Sequence, residues 1–419
     1  MNKSEIIESL NKLLSYAELY EGMCDINRPK DSYPYFSHYF EQLQKHFTFR
    51  LPIRYVDLYS AVFWSIYKSG SLQDKFSIDY VEKKLHDFLI SLKVKNEEVT
   101  NRNYDKFYNK LNMEKVESVF VFCKLYGVDI NSDNPIKIGC FTLYNFPSHT
   151  EQLLSITEYE SEDKLIENHG ELKEHATWIA TKIETADTEK AYELARYNFE
   201  VFQGVCQFFF DINKINAFSV CIFNDIQPIF GRSFILSHTQ SCDKFENIVH
   251  RHKNIDGNYL AHKMDSRFSP LIERLFSSEK NEVNDRVKYA FTTYGRVMYE
   301  HSNAQQLVMY ITAIESLVEY KVKDISELVS RYISCMICND SKEYLPTKED
   351  FKFIYGLRSD ISHGSKVSIL KGDLGCAKSY CVKLILKFIS DTEIESLTTR
   401  DELKSYLENK AQKLEVIET

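Results

Sequence analysis

Between residues 283 and 391, apolar side chains recur at steps of three and four in five successive stretches, roughly 283–300, 303–321, 325–338, 348–362 and 375–391. Helices patterned this way must bury one stripe each, so this part of the chain has to close into a helical bundle. One stripe carries a charge. In "EDFKFIYGLRSDIS", Phe351, Ile354, Arg358 and Ile361 follow steps of three, four and three, which sets Arg358 in line with the apolar face. A guanidinium cannot discharge itself, so there it must meet a carboxylate or line a cleft. Glu315 is the expected partner, four residues after Ile311 and three before Val318 on the edge of the stripe in "NAQQLVMYITAIESLVEY".

The same helix ends in "SDISHG", with His363 five residues after Arg358. Chance supplies such spacings: 14 Arg and 12 His in 419 residues give about 0.4 expected Arg-x4-His matches. The chain has a second, Arg296 with His301, and one more intervening residue adds Arg232 with His238. Local context separates them. On an ideal helix His363 stands about 140° around from Arg358. Gly364, just past the last turn, is the expected C′ residue, and the left-handed turn it permits should redirect the chain and expose His363. Neither other pair has an equivalent stop.

Ahead of the bundle, residues 1–114 read as a helical module, with Tyr80, Val81, Leu85, Phe88 and Leu89 on one face of "SIDYVEKKLHDFLISLKV". From 115 to 250 the period changes. "VESVFVFCKLYGVDI", "IKIGCFTLYNF", "WIATKIETA" and "SVCIFNDI" read as strands, and a helix capped by Asp187 or Thr188 runs through "DTEKAYELARYNFEVFQGVCQFFF". Residues 251–282 mix charges, Gly257 and Pro270 without a sustained period and read as a linker. A charged helix is expected over 392–419. The fold class is therefore α+β: an α-helical bundle at the C-terminus, preceded by a helical module and a mixed α+β domain.

Composition narrows the function. A net charge of −9 argues against a protein that coats nucleic acid, because that binding draws on lysines and arginines neutralising phosphates. Any RNA contact should be local. The start of the chain has no basic region followed by an apolar run, so the ten cysteines are expected as reduced thiols in a cytoplasmic protein. No apolar run reaches the roughly 18 residues of a membrane helix, so no membrane partner is expected. Cys335-x2-Cys338 with Cys376 and Cys381 lacks the spacing of a zinc site, and buried thiols are expected instead. No metal or cofactor is expected. "HRHK" at 250–253 reads as a solvated basic run, and the aromatics, 14% of the chain, sit at core spacing.

The order of a helix with "AIESLVEY", a following helix, "YGLRSDISHG" and a closing helix resembles the HEPN domain, specifically its ApeA-like group, over about residues 283–391. "WIATKIETADTEKAYELARYNFE" is loosely similar to segments that accompany such domains. The resemblance implies a metal-independent endoribonuclease with Arg358 and His363 as catalytic residues and Ser359 at the often polar position after the arginine. It implies a homodimer whose two motifs line one cleft, RNA as substrate, and a role in defence against phage. A phage-derived trigger would then act at the N-terminal region. The chemistry suits these residue types. The 2′-OH is the nucleophile, histidine has a pKa fit for general acid and base work, and the arginine fork matches two phosphate oxygens. Two alternatives stand beside it: an inactive HEPN module that holds RNA or a phage protein, and a purely structural role in which Arg358 pairs with Glu315 and His363 is a helix-terminal cation.

Overall fold

A computed structural model describes the chain except residues 22–34, 41–44, 147, 157–160, 169–175, 216–219, 221–230, 237–240, 247–253, 278, 301, 319, 321–323, 339, 366–367 and 417–419. It is mostly helical with small antiparallel sheets, a general α+β architecture. The chain divides into two compact units, 1–121 with 182–195, and 122–181 with 196–419.

The first unit contains α1 (Lys3–Tyr16), β1 (Glu18–Glu21), β2 (Tyr35–Phe40), β3 (Lys45–Arg50), α2 (Val56–Tyr67), the one-turn α3 (Leu72–Lys75), α4 (Ile78–Lys95) and α5 (Asn101–Asn112). The expectation of an all-helical module needs correction, since β1, β3 and β2 pair antiparallel in that order. "YFSHYF" and "KHFTFR" are six-residue aromatic stretches, long enough for strands and too short for helical periodicity to register. Val81, Leu85 and Leu89 of α4 are buried as their spacing required, with Tyr80 and Phe88 packed at the edge of the same core.

The polypeptide then forms β4 (Glu117–Leu125), β5 (Val128–Asp129), β6 (Ile136–Ile138), β7 (Phe141–Phe146), α6 (Thr150–Ile156), α7 (Glu162–Asn168), β8 (Ala176–Thr185) and α8 (Thr188–Ile212). Four of these strands make a sheet in the order β4-β8-β7-β6. The strand expected in "SVCIFNDI" falls, apart from Val220, outside the described residues. Beyond it come the hairpin β9 (Gly231–Leu236) and β10 (Ser241–Glu246), then β11 (Ile255–Asp256), which pairs parallel with β5.

The linker expected over 251–282 is not one. It holds α9 (Gly257–Met264) and α10 (Phe268–Leu275), which bury Leu260, Met264, Phe268, Leu271, Ile272 and Leu275. Two eight-residue helices are too short to show a sustained period, yet each has a complete apolar face. The bundle follows as α11 (Glu282–Arg296), α12 (Asn303–Val318), α13 (Ile325–Ile337), α14 (Ser341–Ser362), α15 (Lys371–Ser390), the short α16 (Thr392–Glu395) and α17 (Arg400–Val416). Its limits also exceed the expected 283–391. Residues 196–212 of α8 join it through a close crossing, where a Cβ on Gly204 would lie 2.0 Å from the Phe291 carbonyl oxygen and one on Gly295 2.7 Å from Gly204 Cα. Only glycines allow two backbones to approach that far. At the other end α17 buries Leu403, Leu407 and Ala411 and packs on α13, so the charged tail helix is part of the core.

Candidate active site

The site grows from the buried stripe of α14. Phe351, Ile354, Tyr355, Leu357 and Ile361 are all buried and anchor the helix, so the side chain at 358 is held at the margin of the core. Arg358 Nη2 donates to Glu315 Oε2 at 3.2 Å, with the glutamate side chain 8% exposed and the arginine 31%. The expected partner is thus the observed one. Tyr355 Oη donates to the other carboxylate oxygen, Oε1, at 2.6 Å. Both oxygens of Glu315 are therefore engaged by α14, which satisfies a carboxylate that α12 carries into the interior.

The role of Tyr355 escaped the sequence reading. It lies three residues before Arg358, hence on the same helix face, and a tyrosine at that step is the available signal. Its ring also lies 5.9 Å from the Arg358 guanidinium carbon. Arg358 Nε is buried without a hydrogen-bond partner among the described residues. A guanidinium has five N–H donors, and Glu315 occupies one at Nη2, so the group is fixed in place with donors left over.

Gly364 adopts φ +73° and closes α14 as a left-handed C′ residue. Its N–H donates to Ile361 O at 3.0 Å and the Ser365 N–H to Asp360 O at 2.9 Å, the paired bonds of a Schellman end. The turn is the expected one: the chain is redirected at Gly364, and His363, the residue before it, is exposed. His363 keeps φ −92° and ψ 3°, with its N–H on Ser359 O at 3.0 Å, so it continues the helical course and the backbone turns away only from Gly364 onward. His363 is exposed and makes no hydrogen bond with Arg358. Ser359 is half-buried and contributes its carbonyl to this helix end. One chain joins Arg358, Glu315 and Tyr355 by hydrogen bonds, and His363 makes none with them.

No family model, curated protein or solved structure matches the chain.

His363 shares its face of α14 with other exposed positions. Leu345 is 47% and Phe353 60% exposed, and nothing lies within 4 Å of a Cβ placed on Gly356. At 100° per residue Leu345 and Gly356 fall within about 20° of His363, and Phe353 within about 80°. Along the helix Phe353 and Gly356 lie about 15 and 10 Å from His363.

The competing motifs resolve differently. Arg296 pairs with Glu200, which α8 buries, while His301 lies outside the described residues. His238 and the "HRHK" run at 250–253 also lie outside them, as does the side chain of Arg232. Cys335, Cys338 and Cys381 are buried and unbridged, and Cys376 is exposed. Burial pushes the Cys335 thiol up to about 12, which keeps it protonated. Among the described residues no group of three or more His, Cys, Asp or Glu is placed to hold a metal ion, and no helix is long and apolar enough to cross a membrane.

Proposed function

We propose that this chain is a metal-independent endoribonuclease of the HEPN type that works as a homodimer in the cytoplasm, in defence against phage. The observation that carries this reading is the pairing of an anchored Arg358, with donors to spare, and an exposed His363 at the end of the same helix. One chain supplies one such histidine, so a second copy would supply the other member of the acid and base pair. The exposed side of α14 that carries Phe353, Gly356 and His363 is where two copies would meet. One imidazole then removes the 2′-OH proton, the oxygen attacks the adjacent phosphorus, and the other imidazole protonates the departing 5′-oxygen. Arg358 stabilises the charge that gathers on the phosphoryl oxygens. Glu315 and Tyr355 are positioning residues, since Glu315 holds the arginine and Tyr355 holds Glu315. Residues 1–282 would hold the sensor for a phage-derived trigger.

The test is RNA cleavage by the purified chain beside His363→Ala and Arg358→Ala. Loss of cleavage by about a hundredfold or more in both is expected. Equal cleavage by all three, or by none, counts against the assignment. A second reading is favoured by the Arg358–Glu315 pair itself, which accounts for a charged residue on a buried stripe without any substrate. In it the same face holds RNA or a phage protein without chemistry, and saturable RNA binding without cleavage, retained in His363→Ala, would identify it.

A further inference from the structure

A cavity of about 460 Å³ opens among the second half of α8, the end of α11, the first turns of α12 and the first turns of α15. Its size matches sites for small metabolites. Three polar groups on its wall, one of them the exposed Lys371, have no side-chain or backbone partner among the described residues. Tyr310 is 6% exposed, lines the cavity, and its hydroxyl makes no hydrogen bond among the described residues. Burial, then the nearby Asp211 carboxylate, raises its pKa, so the phenol keeps its proton and can donate it. Gln207 also lines the cavity, and its buried Oε1 accepts nothing from the described residues, so its amide is free to turn toward a ligand. Lys371, at the mouth, has no carboxylate of the described residues within ion-pairing distance.

The remaining charges cancel. Asp211 accepts from Tyr294 Oη at 2.5 Å and from Lys378 Nζ at 2.8 Å, so Lys378 is neutralised on the spot. What is left over is one positive charge at Lys371, the Tyr310 hydroxyl, and the side-chain amides of Gln207, Asn303 and Gln306, the last already donating to Glu300 O. A molecule that answers them needs an anionic group together with groups that both donate and accept. Hydroxyls do both, whereas an apolar ligand would strand Tyr310 and Gln207. We propose that this cavity is a binding site for a small anionic polyol, a sugar phosphate or sugar acid, with its anion on Lys371 and its hydroxyls between Tyr310 and Gln207. The site lies apart from Arg358 and His363 in residue content, and it stands whether or not the chain cleaves RNA.

Gly375 provides the control. It lines the cavity within α15, and a Cβ there meets nothing within 4 Å, so Gly375→Leu adds a side chain without a clash while favouring the helix. The experiment is calorimetric titration and thermal melting of the full chain with glucose 6-phosphate, gluconate, glucose and inorganic phosphate. Saturable binding of glucose 6-phosphate or gluconate is expected, with whichever binds identifying phosphate or carboxylate as the anion. Glucose and inorganic phosphate should each bind at least about tenfold more weakly, and Lys371→Met should lose about tenfold. Gly375→Leu should abolish binding while melting at or above the parent temperature. Absence of binding by both anionic sugars at about 10 mM to the folded chain overturns the proposal, as does undiminished binding in Gly375→Leu or equal binding of inorganic phosphate.

Discussion

Glu315 is the residue on which the local energetics turn, because it is buried and holds two side chains of α14 at once. Removing one member of a buried ion pair leaves the other without compensation and costs more than the pair contributes as a unit. Glu315→Ala strands both the Arg358 charge and the Tyr355 hydroxyl, though Arg358 is partly hydrated. A loss of about 2–4 kcal/mol is expected, against about 1 kcal/mol for Tyr355→Phe, which removes one hydrogen bond and keeps the ion pair. Urea unfolding of the two variants measures the difference. Equal losses would mean that the ion pair adds nothing to stability. The identity of this pair was readable from helical steps alone. That Gly364 takes the left-handed turn after His363 was readable as well, from a glycine just past the last apolar step.

Among the elements, α17 shows how far charge can conceal a core helix. Arg331 of α13 makes a two-pronged contact with Glu415, Nε to Oε1 at 2.8 Å and Nη2 to Oε2 at 3.1 Å, and reaches Glu408 through Nη1 at 2.6 Å. Tyr344 of α14 also donates to Glu415, at 2.8 Å. The Arg331 hydrogen bonds lower the pKa of Glu415 more than its partial burial raises it. At the start of the helix Glu402 accepts the Thr398 and Thr399 N–H groups, both at 2.9 Å, and these bonds take its pKa from 4.5 to about 2. A carboxyl whose folded pKa is depressed stabilises the fold at pH above its unfolded value and stops doing so as pH falls through the folded one. Glu402→Gln should therefore cost stability at pH 6 to 7, with the gap to the parent narrowing from about pH 4.5 and closing near pH 2. Melting temperatures of both proteins across that range report the gap, and a constant difference would show that the carboxylate charge is not what caps the helix.

Across the whole molecule, the first unit takes in a segment that comes much later in the chain, 182–195. Asp187 explains how it is held. Its Oδ2 accepts from the Ser77 N–H at 2.8 Å and from the Ser77 hydroxyl, its Oδ1 takes the Glu189 N–H at 3.2 Å, and Thr185 Oγ1 donates to Lys75 O at 2.6 Å. A residue expected to cap one helix thus also secures the start of α4. Asp187→Ala is expected to cost about 2–3 kcal/mol, more than the roughly 1 kcal/mol of an ordinary cap, because Ser77 is buried and loses its acceptor. Chemical denaturation followed by tryptophan fluorescence tests this, since Trp64 belongs to that unit. A cost no larger than an ordinary cap would show that the contact with Ser77 is incidental.

By itself the sequence determined the bundle helices within a few residues at their ends, the extended stretches between 117 and 185 though not their breaks into β4 and β5 and into β6 and β7, the start of α8 beside Asp187, and the meeting of Glu315 with Arg358, since each follows from periodicity or capping within one or two elements. Only the tertiary structure decided that residues 196–212 of α8, α10 and α17 pack with the bundle, that the first unit is discontinuous, and that Asp211, Tyr310, Gln207 and Lys371 share one cavity. The physical reason is range. Hydrogen-bonded periods and caps are written over a few residues, whereas a glycine crossing such as Gly204 on Gly295, or a cavity wall drawn from four helices, depends on how distant stripes pack.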